Sequence, residues 1–171
     1  MAGCGRPHPG TASRPAAGAV FGHRSQFDRA DAAAIFGTAP ALRAADAGLV
    51  QFGTDSAPVR YRRRESVLKV LERFGDLGGT NTAEAVRRQY KKHDRVLIVT
   101  DEQASFSSAA DATAAVPSEV PVYTWNLAGY QVGHAPSGGG NRHTFGGLSD
   151  AAFRMVPLLE AGRDAHWSWN R

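Results

Sequence analysis

The sequence predicts an α/β domain of three layers, with helices on both faces of a mostly parallel sheet and an antiparallel edge hairpin. Three observations predict it. Segments with helical periodicity alternate with strand-like segments, which favours a parallel sheet flanked by helices. Residues 95–100 (RVLIVT) are apolar almost without interruption, as expected of a strand buried on both faces. Two short β-prone stretches on either side of Gly53-Thr54-Asp55 read as a hairpin.

The elements follow in order. Residues 1–24 hold five glycines and three prolines with no apolar periodicity, so they are expected to be disordered or degenerate, and the first strand of the sheet to be missing. The folded domain is placed at 25–163, with 164–171 as a tail. Asp28 is a candidate N-cap, and Asp31 sits at the favoured end of the helix dipole. The Ala-rich run that follows is helical, with Pro40 expected to kink or break it and Gly48 to end it. Residues 49–52 and 58–61 form the hairpin. Residues 66–74 (SVLKVLERF) place Val67, Leu68, Leu71 and Phe74 on one helical face, with Gly75 as the stop.

Asn81 and Glu84 stand at capping-box spacing, so a helix is expected from just after Thr80 to about Lys92. The buried strand at 95–100 then runs straight into Asp101-Glu102. A short helix is expected over 109–115 and a strand over 120–125. Residues 129–147 read as one long Gly-rich loop. Ser149 caps a last helix over 150–161, kinked at Pro157.

Composition narrows the function. The chain has 171 residues, 42% of them apolar, enough for one domain with a core. The formal charge of +4 permits contact with phosphates without demanding it. Cys4 is the only cysteine, so no disulfide forms within the chain. The Gly/Pro/Arg-rich start lacks the apolar stretch of a signal peptide, and no run of 18 apolar residues exists. A cytoplasmic location is the expectation, with no membrane partner.

The strongest chemical feature is the pair Gly78-Gly79-Thr80-Asn81 and Val99-Thr100-Asp101. Thr80 opens a helix, and Asp101 sits where a buried strand meets its loop. In open α/β sheets ligands bind beyond the carboxyl ends of the strands. A hydroxyl and a carboxylate meeting there suit a hard cation such as Mg2+, which takes oxygen ligands. The plainer alternative is that Thr80 caps a helix and Asp101 a turn.

These residues carry a resemblance. From about Asp28 to Gly162 the chain resembles the von Willebrand factor A fold, with GGTN similar to its second metal motif and Thr100-Asp101 to its third. Asp101-Glu102, the long loop after Trp125 and the ending LSDAAFRMVPLLEAG resemble more narrowly the C-terminal domain of Ro-type (TROVE-family) ribonucleoproteins. The resemblance implies a metal-ion-dependent adhesion site whose first motif is Asp-x-Ser-x-Ser. The best alignment puts Pro15, Ala17 and Ala19 at those three positions, none with a side-chain oxygen. The chain therefore reads as N-terminally incomplete. With Thr80 and Asp101 as the remaining metal ligands, Mg2+ binding is expected to be weak or absent.

The function implied is a non-catalytic binding module of an RNA-binding ribonucleoprotein. Its partners would be a small noncoding RNA in the intact architecture, bound mostly by a helical-repeat ring absent from this sequence, and an acidic protein ligand at the metal-site rim. An alternative is direct contact with RNA phosphates through Arg62, Arg63 and Arg64 and through Arg87, Arg88, Lys91 and Lys92. Such runs are more often solvated faces. A third alternative is phosphoryl chemistry at a metal held by Asp101 and Glu102, but the sequence offers no nucleophile or base to go with it. Ser137-Gly138-Gly139-Gly140 lacks the Gly-Lys-Ser/Thr ending of a phosphate loop, and His134 and His143 lack a third zinc ligand. No catalytic set emerges, and the chain is not expected to be an enzyme.

Overall fold

The computed structural model describes residues 2–3, 29–75, 77, 81–100, 111–127, 140–147 and 149–164. Its elements are β1 (Ala2–Gly3), α1 (Arg29–Arg43), β2 (Val50–Phe52), β3 (Ser56–Pro58), α2 (Val67–Leu71), α3 (Thr82–Gln89), β4 (Val96–Thr100), β5 (Val122–Asn126), β6 (Arg142–Gly146) and α4 (Asp150–Asp164). The strands form one six-stranded sheet in the order β3-β2-β1-β4-β5-β6. All neighbours are parallel except β2 and β3, which pair antiparallel at one edge. The mixed α/β architecture and its antiparallel edge agree with the sequence expectation.

Side-chain alternation along β4 and β5 divides the core in two. Val96, Ile98 and Val122 face α3, packing with Phe52, Ala85, Val86 and Val116. Val99, Tyr123 and Trp125 face the other way, against Ala33 of α1 and Ala152 and Val156 of α4. Helices therefore cover both faces, and the sheet lies between them. On the α1–α4 side the aromatic rings interlock: Trp125 lies 4.8 Å from Phe153 and 5.0 Å from Phe145, and Phe36 lies 4.9 Å from Phe153. A third cluster joins Ala41 and Leu42 of α1 to Leu49, Val59 and Val70.

Several expectations are corrected. The first strand is not missing: Ala2–Gly3 occupies the central position between β2 and β4, with Ala2 opposite both Gln51 and Val99. No apolar run announces it, because parallel pairing needs only backbone N–H and C=O groups. The return strand of the hairpin is 56–58, not 58–61. Pairing Val50 with Pro58 and Phe52 with Ser56 leaves a three-residue loop, and Pro58, which has no N–H, falls on the sheet edge where none is required. Residue 61 is a buttress instead: the Tyr61 hydroxyl donates to Ala47 O at 2.7 Å.

Helix α2 is shorter than 66–74, and its fully buried residue is Val70, while Leu68 is 49% exposed. Pro40 does not break α1, which continues to Arg43, with Ala44 N–H donating to Pro40 O. The capping box is only half formed. Asn81 Oδ1 accepts from Glu84 N–H (3.2 Å), but Asn81 N–H donates to Gly53 O, and the Glu84 carboxylate turns to arginines. Helix α3 stops at Gln89, where Tyr90 becomes extended.

Residues 111–116 are turns rather than a helix. Asp111 Oδ1 accepts from both the N–H and the hydroxyl of Thr113, which offers the backbone an alternative to a helical turn. The expected loop 129–147 ends instead in the edge strand β6, and α4 runs three residues past 161. No helix among the described residues is long and apolar enough to cross a membrane.

Candidate functional site

Because five of the six strands are parallel, their carboxyl ends meet at one rim. Thr100, Asn126 and Gly146 end β4, β5 and β6 in register. Two backbone bonds close this edge: Leu127 N–H donates to Thr100 O and Gly147 N–H to Asn126 O, each at 2.8 Å. Thr100 and Asn126 are buried, and each follows directly on a buried apolar residue, Val99 and Trp125.

Across the sheet, the end of β2 holds the segment that leads into α3. Thr54 N–H donates to Leu77 O, and Asn81 N–H to Gly53 O, both at 2.8 Å. Gly53 permits this approach by having no side chain. A Cβ there would lie 2.6 Å from Leu77 O and 2.7 Å from Leu77 Cβ. The sequence marks Gly53 as a turn residue; that it is also the seat of a segment 24 positions later is a tertiary fact.

Thr80 and Asp101 themselves lie outside the described residues, as do Glu102, His134 and Ser137-Gly138-Gly139. Their chain neighbours do not. Asn81 is tied to the end of β2, and Thr100 ends β4, so both belong to the same rim. Only β1 separates β2 from β4, which puts those two strands about 10 Å apart.

The register of β1 also changes where a first metal motif would fall. The strand ends at Gly3, so Cys4-Gly5-Arg6 follows it, rather than the segment around Pro15, Ala17 and Ala19. Neither placement contains Asp-x-Ser-x-Ser. The described rim residues supply amide, hydroxyl and backbone oxygens and one carboxylate, Asp55, which already accepts from Arg88 Nη1 and Ser56 N–H, and the Asn81 Oδ1 accepts a hydrogen bond from Glu84 N–H. No group of three or more His, Cys, Asp or Glu suited to a metal occurs among the described residues. Taken alone, the described residues fall short of the several anionic oxygens that a hard divalent ion takes.

The basic residues divide between the two faces of the sheet. Arg62, Arg63 and Arg64 lead into α2, which packs beside α1. Arg87 and Arg88 lie on α3, which covers the opposite face, with Lys91 and Lys92 just beyond it. The α3 arginines are largely neutralised. Glu84 accepts from Arg87 Nη2 at 2.6 Å and from Arg88 Nε at 2.5 Å, and Arg88 Nη1 also reaches Asp55 at 2.7 Å. The hydrogen bond from Arg87 is the main reason that the Glu84 carboxyl is held down to about 2; desolvation opposes it, and the hydrogen bond from Arg88 and the two positive charges add to the lowering. Lys91 and Lys92 are exposed. Arg62, Arg63 and Arg64 are exposed, and of the three Arg62 engages Glu65, through its backbone N–H and its charge.

Arg142 is a residue the sequence did not single out. Its guanidinium reaches from β6 into the 111–120 segment, donating to Val116 O (2.6 Å), Val120 O (2.8 Å) and Thr113 Oγ1 (3.0 Å). Asn141 adds bonds from Nδ2 to Ser118 O and Glu119 O. Together they fasten the edge strand to the connection between β4 and β5. No pattern in RHTFG signals this, since the acceptors are two main-chain carbonyls and one hydroxyl 22 to 29 residues away.

Comparison with protein-family models finds no match, and comparison with curated proteins finds none.

Proposed function

We propose that this chain is a non-catalytic binding module of von Willebrand factor A-like type, related to the C-terminal domain of Ro-type ribonucleoproteins, with a metal site too depleted to hold Mg2+ well. The observation that carries the reading is the convergence of Asn81 and Thr100 at the carboxyl rim of a sheet ordered β3-β2-β1-β4-β5-β6 with a single antiparallel edge. Thr80 and Asp101 are joined to those residues by one peptide bond each. The rim is where an open α/β sheet receives ligands.

In this reading Thr80 and Asp101 are what remains of a cation site that would bridge to an acidic group on a protein ligand. A small noncoding RNA is the partner of the larger assembly. A fully formed site would need three further oxygen ligands at the end of β1, and the residues after Gly3 do not provide the motif. Contact with RNA phosphates is the weaker reading, because Arg87 and Arg88 are engaged with Glu84 and Asp55 and lie on the opposite face from Arg62, Arg63 and Arg64.

Titration calorimetry with MgCl2 tests the proposal. The expected result is no saturable heat below millimolar metal, unchanged in Asp101→Ala. Tight binding abolished by Asp101→Ala would mean a competent metal centre and would overturn the depleted-site reading.

A further inference from the structure

The whole formal charge of the molecule is accounted for by fourteen residues. Residues 60–73 contain Arg60, Arg62, Arg63, Arg64, Lys69 and Arg73 against Glu65 and Glu72, an excess of four, equal to the +4 of the entire chain. The rest of the sequence is balanced. Such concentration is a property of the surface, and it sets what that surface attracts.

The segment is also rigidly built. Glu65 N–H donates to Arg62 O (3.0 Å) across a tight turn, and Arg62 N–H donates back to Glu65 Oε2 (2.9 Å). Arg73 clamps the same carboxylate through both of its terminal nitrogens and donates to Arg60 O. Glu65 and Arg73 therefore serve the scaffold. Arg64 lies in the left-handed region, φ +65°, a conformation that favours glycine at such a turn. An arginine held there against its backbone preference keeps three consecutive guanidinium groups on one tight turn. One helical turn further on, Leu68 and Lys69 lie on the exposed side of α2.

We infer that the Arg62–Arg63–Arg64 turn and the exposed side of α2 form a docking surface for an acidic protein segment carrying an apolar side chain to seat against Leu68. Two features select a peptide over a nucleic acid. A nucleic-acid backbone calls for a track of cations, whereas this cluster is compact, and the α3 cations lie on the other face of the sheet with Arg87 and Arg88 paired. Base stacking calls for an exposed aromatic ring, whereas the one aromatic of the segment, Tyr61, turns its hydroxyl inward to Ala47 O. A half-exposed leucine among arginines is of use to an amphipathic acidic peptide. This inference is independent of the rim reading, since no residue is shared with it.

The test is fluorescence anisotropy of the full chain with three labelled probes at low salt: a short Glu/Asp peptide containing two leucines, the same peptide with serine for leucine, and a single-stranded oligouridylate. The leucine peptide should bind best. Arg62→Gln/Arg63→Gln/Arg64→Gln should weaken it about tenfold. Leu68→Ser should weaken it about threefold while leaving the serine peptide unaffected. Lys91→Gln/Lys92→Gln should change nothing. The single variant Arg63→Gln gives the same direction if the triple variant is poorly folded. Absence of peptide binding, equal loss in the Lys91/Lys92 variant, or tighter Arg-dependent binding of the oligouridylate would each overturn the inference.

Discussion

Replacing Gly53 by alanine should damage the candidate rim more than the same change at the other described glycines of the loops, Gly48, Gly75, Gly140 and Gly147. The added Cβ would sit 2.6 to 2.7 Å from the carbonyl oxygen, carbonyl carbon and Cβ of Leu77, where ordinary contact begins at 3.4 Å. Backbone must therefore move by roughly 0.7 to 0.8 Å, since two of the three atoms belong to the main chain. Overpacking of this kind costs about 1–3 kcal/mol. The movement also strains the bonds from Thr54 N–H to Leu77 O and from Asn81 N–H to Gly53 O, each worth about 0.5–1.5 kcal/mol net. Because these bonds are lengthened rather than lost, only part of their worth is forfeited, and the total is about 2–4 kcal/mol.

Urea unfolding followed by tryptophan fluorescence measures it. With a slope of about 2 kcal/mol per molar, the midpoint should fall by about 1–2 M. Gly75→Ala is the control. Its Cβ would meet only Gln51 Nε2, at 4.0 Å, so its midpoint should hold or rise slightly. Equal midpoints for the two variants would refute the close-approach argument, and with it the claim that β2 positions the segment preceding α3.

Two further outcomes follow from the same structure. Arg142→Ala removes three short charge-assisted bonds to Val116 O, Val120 O and Thr113 Oγ1 and should cost about 2–4 kcal/mol in urea unfolding, with Arg142→Lys restoring less than half; a loss under about 0.5 kcal/mol would show that β6 does not depend on the clamp. Glu84 and Glu65 are both held down to about 2 by their arginine partners, below the carboxylate value of an unfolded chain. Their contribution is present above about pH 4.5 and is lost as the pH falls through about 2, so the urea midpoint should drop across that window and drop less steeply in Glu84→Gln. Parallel acid profiles for the two proteins would argue against the Glu84 assignment.

What could be read in the residues was whatever rests on local energetics. The apolar run before Asp101 is a strand because four consecutive apolar residues, 96–99, would expose side chains in any amphipathic element. Asn81 and Ser149 cap helices because each supplies an acceptor to an N–H within three residues, Glu84 N–H and Ala151 N–H. The hairpin was recognised from its turn residues, though its register was not, since the choice between 56–58 and 58–61 depends on which backbone groups pair.

What only tertiary structure decided involves partners remote in the chain. Ala2–Gly3 becomes the centre of the sheet and RHTFG its edge through backbone hydrogen bonding, which is blind to side-chain type and leaves no hydrophobic signature. Seven cations looked equivalent in sequence. Arg88 is distinguished by Asp55, 33 residues away, and the exposed arginines at 62–64 by the opposite face of a sheet that no local pattern describes. Local propensity sets which segments become helix or strand, and long-range pairing sets which charges remain available to a partner.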